Sequence, residues 1–393
     1  MPHLAPVHPF PARMAPEIAL AACEGLPPGA SVLDPMSGSG TALRVAAERG
    51  LSAIGRDTDP LAVLIASVWC SGVGSDSLME HANALVDEVR GLGDDCITLN
   101  WIDHDPETRA FINFWFAERQ QRDLRKFAHV LSTKQGVAWD AARVALSRLI
   151  VTKESRASLA RDTSHSRPHR VRAENDFDVV EAFGRVAVSI ARALNSGEVL
   201  RPGAVQIGDA RALDIASDSV DVVITSPPYL NAIDYMRGHK LSLVWLGYTL
   251  RDLRHIRGAA IGAERGPGVV ASGSALEMRA KRYPWYAKLE GRRRGMVLRY
   301  ISDVDKMLSE ISRVLKTTGS AVIVIGNSCL KGVYIENSQV VVDSAESAGL
   351  ELTAASSRAL PNSRRYLPTP RRLLNEDLAK RMRHELVLSF AHG

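Results

Sequence analysis

Residues 31–57 read SVLDPMSGSGTALRVAAERGLSAIGRD. The apolar run SVLD predicts a short strand, DPMSGSGT a glycine-rich turn, and ALRVAAERG a helix closed by Gly50. LSAIGRD predicts a second strand. Two strands joined through a helix have no tight turn with which to fold back as a hairpin. They lie parallel in one sheet with the helix packed across a face. An α/β class follows from this one unit.

The pattern extends in both directions. Upstream, APEIALAACEG (15–25) predicts a helix ending at Gly25. Downstream, PLAVLIASVWC (60–70) predicts another helix. Strand patterns return at AVQIGDA (204–210), VDVVITSPPY (220–229), TTGSAVIVIGN (317–327), ELTAASSRAL (351–360) and HELVLSF (384–390). Helices are expected at HKLSLVWLGY (239–248), YISDVDKMLSEISRVLK (300–316) and VVVDSAESAGL (340–350). The segment 73–199 interrupts this alternation. Its apolar runs at 78–89, 111–131, 138–151 and 177–194 are helical, while RASLARDTSHSRPHRVR (156–172), broken by Pro168, predicts a long basic loop. Three units result: residues 1–72, a helical insertion 73–199, and 200–393, which contains a mobile basic segment at 250–300 whose part 258–275 is rich in small residues.

With 393 residues, 46% of them hydrophobic, the chain can bury one large core and a smaller unit. Net charge is +5, but segments 153–172, 281–299 and 364–383 carry +4, +6 and +5, which leaves −10 on the rest. Basic stretches on an acidic body point to a polyanion; solvated helix faces and tails would give the same pattern. No run of about 18 apolar residues appears, so no membrane contact is expected. The opening MPHLAPVHPFPAR lacks a signal-peptide pattern. Cys23, Cys70, Cys96 and Cys329 form no C-x-x-C pair, which suits a reducing cytoplasm and argues against a metal centre.

The turn 34–41 is a candidate cofactor loop. Its glycines let backbone pass close to a ligand, and the helix that opens there offers free N–H groups. Asp57 ends the second strand 23 residues after Asp34, where an acid can take both hydroxyls of a ribose. The third glycine of a dinucleotide fingerprint is missing, and an acid at the head of the loop suits a pyrophosphate poorly. It suits the ammonium of S-adenosylmethionine.

Thr225-Ser226-Pro227-Pro228-Tyr229 closes a β-branched strand at the edge where ligands gather in parallel sheets. Two prolines fix φ and remove two donors while their carbonyls stay free to accept. Ser226 Oγ and the Pro227 carbonyl can take hydrogen bonds from a planar amino group, and Tyr229 can stack on a base. A merely rigid turn after a buried strand would read the same way by itself.

These motifs resemble the amino-group DNA methyltransferases, whose glycine loop is D-P-F-x-G-S-G-T and whose catalytic turn in the cytosine-N4 branch is S-P-P-Y. Met36 stands at the phenylalanine position, where it can still fill an apolar pocket. Adenine-N6 members more often begin the turn with Asp or Asn, so Ser226 favours cytosine N4. HPFPARMAPEI (8–18) resembles the family's N-terminal segment, Gly208-Asp209-Ala210 its third-strand segment, and NSRRYLP (362–368) and MRHELVLSF (382–390) its C-terminal segments. The resemblance covers roughly 1–70 and 200–393. It implies a doubly wound, mostly parallel sheet of seven strands, the last antiparallel, of the class I S-adenosylmethionine methyltransferase fold. It implies S-adenosylmethionine held by Phe10, Asp34, Met36, Gly38, Gly40, Thr41, Asp57, Asp209 and Ala210, and catalysis by Ser226, Pro227, Pro228 and Tyr229. The partners implied are DNA, with a restriction endonuclease alongside; related turns act on RNA guanine N2, and a non-catalytic nucleic-acid binder could retain the fold.

Asn231, Asp234 and Tyr235 follow the turn and are expected to line a base pocket, although Asn231 could simply cap a helix. Arg161, His165 and Arg167 in the basic loop are candidate phosphate or base contacts. Tyr283, Trp285 and Tyr286 lie among cations, which suits a nucleic-acid strand and equally a small apolar patch under a loop. None of the four cysteines follows a proline, so the thiolate nucleophile of cytosine-C5 chemistry is missing.

Overall fold

A computed structural model describes residues 4–93, 97–230, 233–263, 274–360 and 383–393. Helix α1 (Pro16–Ala22) leads into β1 (Ser31–Asp34), α2 (Thr41–Glu48), β2 (Ser52–Asp57) and α3 (Pro60–Cys70). A helical block follows: α4 (Ser75–Gly91), α5 (Asn100–Asp103), α6 (Pro106–Trp115), α7 (Glu118–Ser132), α8 (Val137–Ile150), the two-residue strands β3 (Ala160–Arg161) and β4 (His169–Arg170), and α9 (Val179–Leu194). Then come β5 (Ala204–Ile207), β6 (Val220–Thr225), α10 (Met236–Leu243), α11 (Leu250–Ala259), α12 (Ala275–Ala280) and α13 (Arg292–Val314). The chain closes with β7 (Leu315–Gly326), β8 (Ser328–Leu330), β9 (Val333–Ile335), α14 (Asn337–Ser347), β10 (Leu350–Ala359) and β11 (His384–His392).

Seven strands form one sheet in the order β10-β11-β7-β6-β1-β2-β5. The pairs β7–β6, β6–β1, β1–β2 and β2–β5 are parallel, while β11 runs antiparallel to both its neighbours. The expected fold class, with its antiparallel last strand, is what the chain adopts. Side chains alternate between the faces. Val32, Val222 and Ile224 pack with α1 and α2 on one face. Leu33, Val223, Ile323 and Ile325 pack with α13 and α14 on the other. Strands buried on both faces need unbroken apolar runs, which is why VDVVIT reads as it does.

Helix α3 is apolar nearly all round because it is covered twice. Ala66 and Cys70 face the sheet, and Leu61, Ile65, Val68 and Trp69 face the helical block. The insertion shares one apolar cluster with α3 and with Leu241, Leu243, Val244 and Trp245 at α10. Arg44 of α2, almost fully buried, fastens the block to the sheet layer. It donates to the carbonyls of Trp69 at 2.6 Å, Gly197 at 2.6 Å and Leu194 at 3.3 Å, and pairs with Glu48 at 2.6 Å.

Local differences from expectation have physical causes. The run 111–131 breaks into α6 and α7 at Phe116–Ala117, which turn extended so that Phe116 can bury its ring edge-on against Trp245, 5.2 Å away. Helix α13 starts at Arg292, earlier than expected, because Met296, Val297, Leu298 and Tyr300 are buried. Tyr283, Trp285 and Tyr286 are only 4%, 4% and 2% exposed and belong to the core under α13, so their rings are not available to a nucleic acid. The NSRRYLP segment, most of 258–275 and Cys96 lie outside the described residues. Among the described residues no helix is long and apolar enough to cross a membrane.

Candidate active site

The site is built at the carboxyl edge of β1, β2 and β6. Register puts Leu33 opposite Val223, so the β1 and β6 turns leave the sheet side by side. Thr225 Oγ donates to Asp34 Oδ1 at 2.8 Å, which ties the residue before Ser226 to the first residue of the glycine loop. The loop and the S-P-P-Y turn thus leave neighbouring strand ends that this bond joins.

Asp34 is 3% exposed, and burial pushes its carboxyl up to about 7 against the hydrogen bonds from Thr225 and the Met36 amide. Both of those bonds fall on Oδ1, leaving Oδ2 for a ligand. Asp57 is half-buried. It accepts from the amides of Gly38 at 2.8 Å and Asp59 at 2.9 Å. Burial, with the Asp59 charge, raises it to about 6. Neither acid forms a salt bridge among the described residues, and the charge of His239 only partly offsets Asp57. One buried and one half-buried carboxylate with so little counter-charge suit a cationic ligand.

Gly40 caps α2 with φ +82°, and a Cβ there would come within 2.8 Å of the Ala66 Cβ. Only glycine lets the loop pack onto α3. Thr41 is buried, with its hydroxyl 3.2 Å from that of Ser39, and Met36 packs against the core under the sheet. The Phe10 ring lies over Gly38 and stacks on Tyr235 with centroids 5.1 Å apart, so Phe10 and Tyr235 together wall the loop on one side. The residues present therefore fit S-adenosylmethionine: carboxylates for its cationic amino-acid end and its ribose hydroxyls, and apolar or aromatic walls beside them.

Ser226 donates its hydroxyl proton to the Val324 carbonyl at 3.0 Å, which leaves its oxygen to accept, one lone pair being taken up with the Tyr229 hydroxyl. Pro227 is buried, and Pro228 half-buried. The Tyr229 ring crosses Gly326 at the end of β7 so closely that a Cβ there would lie 2.7 Å from the ring. Burial raises its hydroxyl to about 12, the Glu385 charge adds to this, and a hydrogen bond with Ser226 opposes it.

Asp209 sits after β5 as expected, but its carboxylate is clasped by Arg211 at 2.6 and 3.0 Å, and Arg211 also reaches Asp303 at 2.7 Å. Burial would raise the Asp209 carboxyl; Arg211 outweighs it and holds the group below its usual range. Ala210 is buried beside it. Asp234 pairs with Arg237 at 3.0 Å and Arg257 at 2.6 Å. Asn231 lies outside the described residues. In the basic loop, Arg161 is exposed, His165 pairs with Asp162, and Arg167 is half-buried. This loop docks at the mouth of the site: Ser166 Oγ donates to the Tyr235 carbonyl at 3.2 Å, and Gly238 lies flush against the Thr163 carbonyl.

Some participants escaped sequence reasoning. Thr225 could have been found from its place before the turn, and Asp59 from the Asp-Pro signal that starts α3. His239 carried no signal. It is fully buried, with Nδ1 2.6 Å from Asp59 Oδ2 and Nε2 without a hydrogen-bond partner.

No family model matches the chain, and no curated protein matches it. Among solved structures it is similar to a TehB-like SAM-dependent methyltransferase from Corynebacterium glutamicum, with 11% identity over 97% of this chain and 89% of that one, at a TM-score of 0.32. A geranyl diphosphate methyltransferase in complex with SAM matches at 7% identity over 96% and 84%, TM-score 0.37. The rRNA methyltransferase aviRa from Streptomyces viridochromogenes matches at 13% over 97% and 85%, TM-score 0.29. At these scores the likeness carries no argument about this chain, whose fold stands on its own strand order.

Proposed function

We propose that the chain is an S-adenosylmethionine-dependent methyltransferase acting on an exocyclic amino group of a DNA base, cytosine N4. The observation that supports this reading is the Thr225–Asp34 hydrogen bond, which joins the head of the glycine loop to the residue before the S-P-P-Y turn. S-adenosylmethionine, when bound, supplies an electrophilic methyl on a sulfonium. Asp34 and Asp57 hold the cationic and ribose ends of that cofactor, and Phe10 covers the loop. Ser226 is suited to accept an amine N–H because its own proton is committed to Val324. The Pro227 carbonyl accepts the other N–H, which turns the nitrogen lone pair toward the donor. The cofactor would supply direct methyl transfer to that nitrogen, leaving S-adenosylhomocysteine and one proton released to solvent, so no residue here would need to form a covalent intermediate. The base leaves its duplex to reach this depth.

The test is transfer of tritium from labelled cofactor to DNA, tRNA and rRNA, with Ser226→Ala and Tyr229→Ala in parallel. The expected outcome is labelled DNA for the wild type and a loss of about 100-fold or more in each variant with cofactor binding retained. Label in RNA alone, or full activity in both variants, contradicts the reading.

A further inference from the structure

On the described surface one run of side chains sets three rings in line between two cations, across three elements. On α6, Phe114 is 50% exposed and meets Trp115 edge-on at 4.9 Å, and Trp115 leans on Phe111 at 6.2 Å. A cation stands at each end. The Arg170 guanidinium of β4 is 5.1 Å from the Phe114 ring, and Lys240 Nζ of α10 is 5.2 Å from the Phe111 ring. The run therefore starts in the basic hairpin of the insertion and finishes on the helix that follows the S-P-P-Y turn. The Leu250 amide, which donates to Thr108 Oγ at 2.9 Å, fixes α6 against α11. At the α10 end, Arg237 and Arg257 share the single carboxylate of Asp234, so positive charge is left over. Burial and the charge of Arg257 hold the Lys240 ammonium below its ordinary value, and an anion placed there would relieve that.

We propose that this run is the track on which the target strand of DNA, unpaired around the flipped base, lies as it enters the active site, with bases stacking on Phe114 and Trp115 and phosphates on Arg170 and Lys240. The inference rests on the reading that the substrate is DNA. An aromatic face stacks on any base, and cations beside it take the backbone, so the surface grips a strand without reading its sequence. A protein partner would call for an apolar centre with a polar rim. Here three rings lie in one line closed at each end by a cation, and the hairpin segment 153–172 carries net +4, which favours a polyanionic strand over an apolar partner. This also places the nucleic-acid contact on the insertion, where the buried Tyr283, Trp285 and Tyr286 cannot supply it.

The test uses the full chain, a labelled single-stranded DNA oligonucleotide and fluorescence anisotropy at several salt concentrations. Phe114→Ala, Arg170→Ala and the control Leu200→Ala, at a residue 61% exposed elsewhere, are compared after matching of their thermal unfolding. Phe114→Ala is expected to weaken binding about ten-fold with an unchanged salt slope. Arg170→Ala is expected to lower the magnitude of the slope of log K on log salt by about 0.7. The control is expected to match wild type, and cofactor binding is expected to hold in all three. If wild type binds and methylates DNA while Phe114→Ala and Arg170→Ala bind it unchanged, the track is wrong and the proposed function stands. If wild type neither binds nor methylates DNA, the proposed function fails first and the track with it.

Discussion

Asp34 and Asp57 carry the electrostatics of the site at the scale of single residues. Both are raised, to about 7 and about 6, chiefly by burial. In the ligand-free chain a carboxyl with a raised pKa favours the folded state while protonated; that contribution is full below the unfolded value of 3.8, falls as pH rises above it, and is gone once pH has passed the folded values of about 6 and about 7. A cationic ligand reverses the preference, because it binds the ionised form. Cofactor affinity is therefore expected to rise between about pH 5.5 and 7.5, by up to about ten-fold per unit for each titrating group, and then level off. Calorimetry in buffers of different ionisation enthalpy should record proton release over the same window; an affinity independent of pH would remove the carboxylates from cofactor binding. Two glycines give further tests. Gly40→Ala combines a left-handed backbone with a Cβ inside the Ala66 contact distance, and should cost about 2–4 kcal/mol in denaturant unfolding along with the cofactor. Gly326→Ala touches no part of the cofactor loop but drives a Cβ into the Tyr229 ring. Its expected signature is a fall in kcat of about ten-fold or more, with cofactor affinity kept; unchanged kcat would show that the ring position is immaterial.

At the scale of elements, what was legible in the sequence is what local pattern determines. The β-branched run at 220–225 and the helix–turn signals around 31–57 depend only on neighbours in the chain, and both came out as read. Seven strands were visible in advance for the same reason. The break between α6 and α7 was not, because it is set by the seat Phe116 finds beside Trp245, a residue far away in the chain. The small β8–β9 hairpin, too short to show a period, was missed as well. Arg44 is the sharpest case. By sequence it is an ordinary cation on an amphipathic helix, and three carbonyls brought from α3 and the end of α9 bury it. Arg44→Met should leave those carbonyls without a donor and cost about 3 kcal/mol or more, measured by denaturant unfolding. A cost below about 0.5 kcal/mol would show that water replaces the guanidinium.

On the scale of the whole molecule, the helical insertion is part of the site's architecture. It shares one apolar cluster with α3 and α10, and its basic hairpin hydrogen-bonds the carbonyl of Tyr235 beside the cofactor loop. The candidate site was legible as two motifs, and their meeting was not, since residues 34 and 225 are brought together only by the pairing of β1 with β6. On the proposed function, that pairing is what brings a methyl donor and an amine within reach of each other. The most direct measurement is a crystal structure of the chain with sinefungin, whose amine stands in for the transferable methyl. The expected result is that amine within about 6 Å of Ser226 Oγ, close enough for a hydrogen-bonded target nitrogen to sit between them. Sinefungin bound away from residues 34–41, or with its amine turned from the S-P-P-Y turn into a different cleft, would contradict the account.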